Sequence, residues 1–491
     1  MTRKRSAKRL LPIGIPLLLA LLVGLTVSVY FWQIRLQKPS EINMGDHRHH
    51  SAAAVGAGMH EHAASGVACE SLVAGEASGA TREFDLTAAR TELRLDNGKT
   101  LEAWTFNGIS PGPELRVNEG DRVVVTLRNE DIEDGVTLHW HGINVPCSQD
   151  GVAGVTQDAV KPGESFTYAF VAAAPGTYWY HSHQMSSIQA KKGLLGSIIV
   201  EPRNPFGLAP KATEVAALYQ RLESAVLLNG STRGLKVSVG PGETVRLRLT
   251  NGDNETMNFS VEGAPFQVVA MDGHDMHEPG LLDGEIVPLG AGQRYDLLVR
   301  LPDSGKVVVR NDAADNLPIT LGSGSEPARM EGLKTFSFVD YGAPVPNDPL
   351  PPGEPDRRYE LRLGQLLFVS TINGRSFHEI PPMTVKEGET ARITLVNEGG
   401  GDHPFHFHGH TFRVLSKNGN PLTGSPVYLD TLLTKKGEIY EIFLVADNPG
   451  LWMVHCHNLE HASMGMSMML NYEGITTSYR VGTKSGNLPD L

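Results

Sequence analysis

One sequence unit occurs three times along the chain, and it leaves few folds open. Each copy begins with an Asn-Gly pair, at Asn107-Gly108, Asn229-Gly230 and Asn373-Gly374. A glycine then opens an alternating apolar run that closes on Asn nine residues later. The runs are GDRVVVTLRN (Gly120 to Asn129), GETVRLRLTN (Gly242 to Asn251) and GETARITLVN (Gly388 to Asn397). A second spacing recurs downstream, thirteen residues from Gly163 to Gly176, from Gly292 to Gly305 and from Gly437 to Gly450. Alternation with period two marks a half-buried strand, and Asn-Gly marks a tight turn. The 53 Gly and 31 Pro among 491 residues favour short strands and many turns over long helices. Three β-sandwich domains of about 120–140 residues fit both the repeat and the length. Their expected bounds are 81–205, 206–345 and 346–491. The Pro-rich stretch 341–356 should connect the second to the third, because its prolines cannot sit in a central strand.

The repeat also locates the chemistry. Asn129 is followed by His139-Trp140-His141-Gly142, and Asn397 by His403-Pro404-Phe405-His406-Phe407-His408-Gly409. The corresponding stretch after Asn251, TMNFSVEG, has no His. Five residues beyond the last glycine of each unit stand His181-Ser182-His183, then Arg310, then His455-Cys456-His457. The first and third domains thus carry histidine motifs at equivalent places. The middle domain carries none and reads as a spacer. On a strand, alternate residues face opposite sides. Each His-x-His therefore puts two imidazoles on one face, and Cys456 faces away from His455 and His457. With His461, which follows four residues after His457, these motifs hold ten of the 19 His. Buried histidines without a metal would each need a separate hydrogen-bond partner. Imidazole suits copper and zinc alike, but Cys456 with His461, Met466 and one further His from elsewhere in the chain would make the ligand set of a blue-copper site.

The amino terminus points to a membrane. Basic residues Arg3, Lys4, Arg5, Lys8 and Arg9 precede an uncharged run at 10–34. The run is long enough to span a bilayer, and its basic flank places the remainder outside the cytoplasm. Residues 1–34 are read as an uncleaved single-pass anchor, with a cleaved signal peptide as the competing reading. If it is cleaved, the protein is secreted or periplasmic. Residues 35–80 read as a flexible linker containing His47, His49, His50, His60 and His62. Three Cys occur, at 69, 147 and 456. Cys69 and Cys147 are open to either a disulfide or two free thiols. A net charge of -12 argues against a nucleic-acid partner.

Taken together, HWHG, HSH, HPFHFH and HCHNLEHASMGM resemble the motifs of the multicopper oxidases, the family of laccases and their bacterial relatives. The resemblance runs from about residue 85 to 475 and implies an all-β chain of three cupredoxin-like Greek-key domains behind the transmembrane helix and linker. It implies four copper ions: one type 1, one type 2 and a binuclear type 3 pair. His403, Cys456, His461 and axial Met466 would hold type 1, and His139 with His406 type 2. His141, His181, His183, His408, His455 and His457 would hold the pair. Asp150 matches the family's carboxylate for proton delivery. The Glu that many bacterial relatives place directly after the last blue-copper His is Ala462 here, so Glu460 is the candidate to take over.

The implied reaction couples four one-electron oxidations of a phenolic or similar small reductant to reduction of O2 to water, the chain acting as a monomer. A metallo-oxidase acting on Cu(I), Mn(II) or Fe(II) in metal resistance is the alternative. A copper-binding protein without turnover is a third reading, from another class. Met464, Met468 and Met469 read as apolar packing of a final strand. The stretch MDGHDMH, from Met271 to His277, reads as a loop without an assigned role.

Overall fold

The computed structural model describes residues 39–45, 66–203, 212–348, 353–366 and 369–490, with Gly24 and Leu350 as single positions. The expected membrane segment, apart from Gly24, and the linker histidines lie outside these residues. Among the described residues no helix is long and apolar enough to cross a membrane.

Three pairs of sheets follow one another along the chain. The first pair sets Thr100–Phe106, Thr81–Arg94, Arg122–Asn129 and Ser165–Val171 beside a sheet of Gly112–Asn118, Leu195–Glu201, Gly176–His181 and His139–His141. The second pair uses strands from Thr213–Leu222 to Lys334–Thr335, and the third those from Arg357–Leu366 to Ser467–Tyr472. The chain is mostly strand, and Met468 and Met469 are buried in the last of these, as expected of packing residues.

The repeated residues do the same work in each pair. The alternating runs are the strands Arg122–Asn129, Thr244–Asn251 and Thr390–Asn397. Each pairs in parallel with the first strand of its own sandwich and antiparallel with the strand that lies between the two glycines of the second spacing. The closing Asn is buried every time. Its amide donates to two carbonyls: Ile132 and Val160 for Asn129, Glu255 and Leu289 for Asn251, Gly401 and Thr434 for Asn397. At the Asn-Gly turns, Asn107, Asn229 and Asn373 have φ of 55°, 48° and 55°, and the following glycines are also positive. Positive φ at both central residues is the reason for Asn followed by Gly. Each turn Asn also accepts a backbone N–H from the first strand, of Thr87, Leu218 or Arg362.

The histidines sit at equivalent ladder positions. His139 faces His181, and His406 faces His455. In the middle sandwich the same register pairs Ser260 with Arg310. Arg310 Nε donates to buried Glu262 at 2.7 Å. An ion pair thus fills the place that imidazoles fill elsewhere.

The stretch expected to be a flexible linker differs at two points. Ile42 bridges to Val481, and Val67–Ala68 pairs with Ile475–Thr476. Cys69 and Cys147 form a disulfide with Cα atoms 5.4 Å apart. Residues 39–45 and 66–80 are therefore fastened to the sandwiches rather than loose. The disulfide joins residues 78 apart, and crosslinks of this span contribute about 2–5 kcal/mol. The Cys69→Ser/Cys147→Ser variant should melt at a clearly lower temperature than the parent by calorimetry. An unchanged melting point would show that the bond carries no stability.

Candidate metal centre

Four buried strands carry the histidine motifs: β1 (His139–His141), β2 (Gly176–His181), β3 (His403–Phe407) and β4 (Leu451–Cys456). Their alternation sends intervening residues into the cores. Trp140 packs on Tyr168 and Phe170 with ring centroids 5.4 and 4.8 Å away, and Phe405 and Phe407 contact each other. The imidazoles go the other way and meet where the first and third sandwiches face each other.

Eight imidazoles form one buried cluster: His139, His141, His181, His183, His406, His408, His455 and His457. Rings from the two sandwiches interleave, His139 stacking on His408 and His141 on His406, both with centroids 3.8 Å apart. Their nitrogens divide into an outer and an inner set. Outer Nδ1 atoms face oxygen: His181 toward Ser182 O, His455 toward Cys456 O and His406 toward Asp430 O, each at 3.0 Å. Asp150 bridges the sandwiches, Oδ1 lying 3.1 Å from His139 Nδ1 and Oδ2 2.9 Å from His408 Nδ1. Inner Nε2 atoms converge on one another: His139 on His406 at 3.4 Å, His408 on His455 at 3.1 Å, His183 on His455 at 3.4 Å.

His141 reverses the pattern. Its Nε2 meets Asp430 Oδ1 at 3.1 Å and Thr431 Oγ1 at 3.0 Å, and its Nδ1 has no partner. His181 Nε2 and both nitrogens of His457 are likewise buried without a partner. Stranded buried nitrogens are costly in a packed interior. Outer nitrogens held by oxygen with inner nitrogens converging is the arrangement of metal ligands. The donor set fits copper.

The sulfur site lies on the other side of the 455–457 backbone. Cys456 Sγ is 3.7 Å from His403 Nδ1 and 3.8 Å from His461 Nδ1, and these three side chains group as a metal-holding set. Met466 is buried; its backbone carbonyl accepts from the Cys456 N–H and its N–H donates to His461 O, both at 3.0 Å. His461 rides on the short helix α1 (Leu459–Ser463), whose first turn is capped by Asn458. Of the ten motif histidines, His461 alone is only half-buried.

Two carboxylates proposed from sequence fare differently. Asp150 is fully buried between the two sandwiches. Glu460 is not brought to the cluster: α1 turns its side chain outward, exposed and paired with Lys191. It lacks the contact with the histidines that a relay there would need.

The middle sandwich is also more than a spacer. Arg294, wholly buried, grips Asp430 with both guanidinium arms at 2.9 and 2.7 Å and donates from Nε to Thr177 O at 3.0 Å. It thereby ties all three sandwiches together beside His141 and His406. Asp272, from the stretch left without a role, accepts the N–H groups of Arg294 and Thr431. Gly142 is required here, since a Cβ would lie 2.2 Å from Arg294 Nη2. A Cβ on Gly292 would strike His457 at 2.7 Å. Arg294, Asp272 and Asp430 follow no His-like spacing, so the motif reading passed over them.

Burial, followed by the neighbouring His461, pushes His403 down to about 4. Burial pushes His406 down to about 4 also, against the pull of Asp430. The other cluster imidazoles with a resolved shift move the same way, for the same first cause. Burial raises the Cys456 thiol. Burial alone would raise Asp430, but Arg294, then His141 and His406, hold it well below the usual carboxylate range. Burial and then Asp430 lift Asp272 to about 7. At neutral pH the imidazoles with lowered values are unprotonated and ready to bind, while the thiol loses its proton to solvent when a metal binds.

Comparison with known proteins agrees with this geometry. Three family models described as multicopper oxidase match residues 87–205, 203–323 and 350–474. The solved multi-copper oxidase from Pseudomonas Thermotolerans is 31% identical, with a TM-score of 0.68 over 80% of this chain and 100% of that one. The chain belongs to the multicopper oxidase family. Members are copper-dependent oxidoreductases that use O2 and hold one type 1 copper, one type 2 copper and a binuclear type 3 pair. This multicopper oxidase is also similar to the iron transport multicopper oxidase FET3 of Gibberella zeae, 28% identical over 79% of this chain and 76% of that one. Laccase-2 of Botryotinia fuckeliana is 28% identical over 80% and 82%.

A pH effect follows for the copper-free protein. The unfolded chain protonates its histidines near 6.5, whereas folded His403 and His406 resist down to about 4. Between those values the unfolded state binds more protons, so stability falls as pH falls. Thermal melts of the metal-free oxidase should show a falling midpoint across this window. A flat profile would contradict the burial of neutral imidazoles.

Proposed function

We propose that this multicopper oxidase is a laccase-like enzyme, tethered outside the cytoplasm, that takes single electrons from phenols or similar small reductants. The observation carrying the reading is the division at residues 455–457: a thiol with a half-open histidine edge on one side, a closed cluster of eight imidazoles on the other. In this reading His403, Cys456, His461 and Met466 hold type 1 copper, and His139 with His406 hold type 2. His141, His181 and His457 hold one type 3 ion, and His183, His408 and His455 the other. Bound copper supplies one-electron redox chemistry at the sulfur site and reduction of O2 to water at the cluster.

The chain's own residues do the rest. Among the ten motif histidines His461 presents the half-exposed ring, which is where a donor can touch. Cys456 is joined by one peptide unit to His455 and by another to His457, a covalent path between the two sites. Asp150 orients His139 and His408 and is the carboxylate placed to hold a proton for the cluster. A buried Met466 thioether as a type 1 ligand would keep the copper potential lower than an aliphatic side chain would, which suits easily oxidised donors. Extracytoplasmic placement is supported by the Cys69–Cys147 disulfide, which such compartments favour, and by the basic-then-apolar amino terminus. If this placement is correct, the protein should fractionate with membranes and resist release by high salt.

The metallo-oxidase reading has support of its own. Glu460, paired with Lys191, is exposed beside His461, and Asp402 adjoins His403; carboxylate oxygens at the donor edge suit Cu(I), Mn(II) or Fe(II). Oxygen uptake across phenols and these ions separates the two readings: faster turnover with the ions would replace the laccase-like assignment. Cys456→Ser should abolish the blue absorption and lower donor oxidation by several orders of magnitude, since the sulfur route is lost. Retained turnover would show that the electron path is wrong.

A further inference from the structure

Ala462 leaves this oxidase without the carboxylate expected directly after His461. The structure assigns that place to Asp490, as a positioning residue for the copper held by His183, His408 and His455. Residues 486–490 run alongside the residues that follow His183. The Gln184 side chain donates to Gly486 O and accepts the Leu488 N–H, both at 2.8 Å. The N–H groups of Met185 and Ser186 donate to Leu488 O and Pro489 O at 2.7 and 3.1 Å. This anchoring carries Asp490 inward until it is 4% exposed.

Two hydroxyls from different sandwiches then fix its carboxylate. Ser467 Oγ donates to Oδ2 at 2.6 Å, and Ser186 Oγ to Oδ1 at 3.3 Å. Ser467 is the cross-strand neighbour of His455. Oδ1 also lies 3.8 Å from His183 Nδ1, a buried nitrogen with no hydrogen-bond partner. Asp490 is the carboxylate that faces this outer nitrogen, the place that Asp150 fills for His139 and His408. Such outer partners set the tautomer and direction of a ligating ring.

The link to Ala462 is spatial. A cavity of about 20 Å³ is lined by Ala462, Ser463, Phe377, Pro39, Pro489 and Asp490 among others. That is room for one water. A longer acidic side chain at 462 would enter the cavity from one wall; Asp490 already stands on the other.

The inference rests on the copper reading above, and its test keeps the two apart. Asp490→Ala, Asp490→Asn and the double variant Ala462→Glu/Asp490→Ala are loaded with copper, then titrated with a chelator while bound copper is counted. Asp490→Asn preserves size and one acceptor oxygen while removing the negative charge; the serine hydroxyl that faces the new amide NH2 must turn to accept from it. Both single variants should bind the cluster copper about 10–100-fold more weakly. The share of copper visible by electron paramagnetic resonance should rise as the coupled pair comes apart, with the blue absorption of Cys456 retained. Ala462→Glu should restore parental binding. Parental copper affinity in both single variants overturns the assignment. So does loss in Asp490→Ala alone, which would mean packing rather than charge, or a double variant that regains nothing. A parent protein that binds no copper would instead overturn the copper reading itself.

Discussion

Arg294 clasps Asp430 at the point where the three sandwiches meet, and the histidine cluster depends on that contact. Asp430 belongs to the third sandwich, Thr177 to the first and Arg294 to the second. Both ions are buried, so either one alone would carry a large desolvation penalty; breaking such a pair typically costs about 3–5 kcal/mol. Asp430 then reaches His141 and leaves that ring's Nδ1 free. One ion pair thus sets both how the sandwiches dock and which nitrogen of His141 faces inward. The middle sandwich lacks ligands, yet it supplies the arginine that joins the two sandwiches that have them.

Much of the architecture was legible because the repeat is local. Asn-Gly turns, alternating runs and closing asparagines fall 22 to 24 residues from first Asn to last in every copy, and each has a backbone reason. The His-x-His motifs were legible for the same cause: alternation on a strand fixes which side chains share a face. The position of Arg310 in the middle sandwich shows the register at work, since the ladder that pairs His139 with His181 pairs Ser260 with Arg310.

What escaped the sequence was long-range. Asp430 and Asp272 are held by Arg294 at separations that no local pattern encodes, and Asp490 reaches His183 from more than three hundred residues away. Glu460 stands only two positions from Ala462 in sequence, but the first turn of α1 points it at Lys191 and away from the cluster. The docked parts of 35–80 were missed because their partners, Val481, Ile475 and Cys147, lie elsewhere in the chain.

The cluster's ligands run from residue 139 to residue 457, and half of them come from each of two sandwiches separated by a third. Neither sandwich alone supplies more than four of the eight imidazoles. During synthesis the early histidines must therefore wait, unoccupied or loosely occupied, until the last sandwich has closed over them. Metal capture becomes the final act of maturation, and a filled cluster certifies that the whole chain has been made and correctly docked.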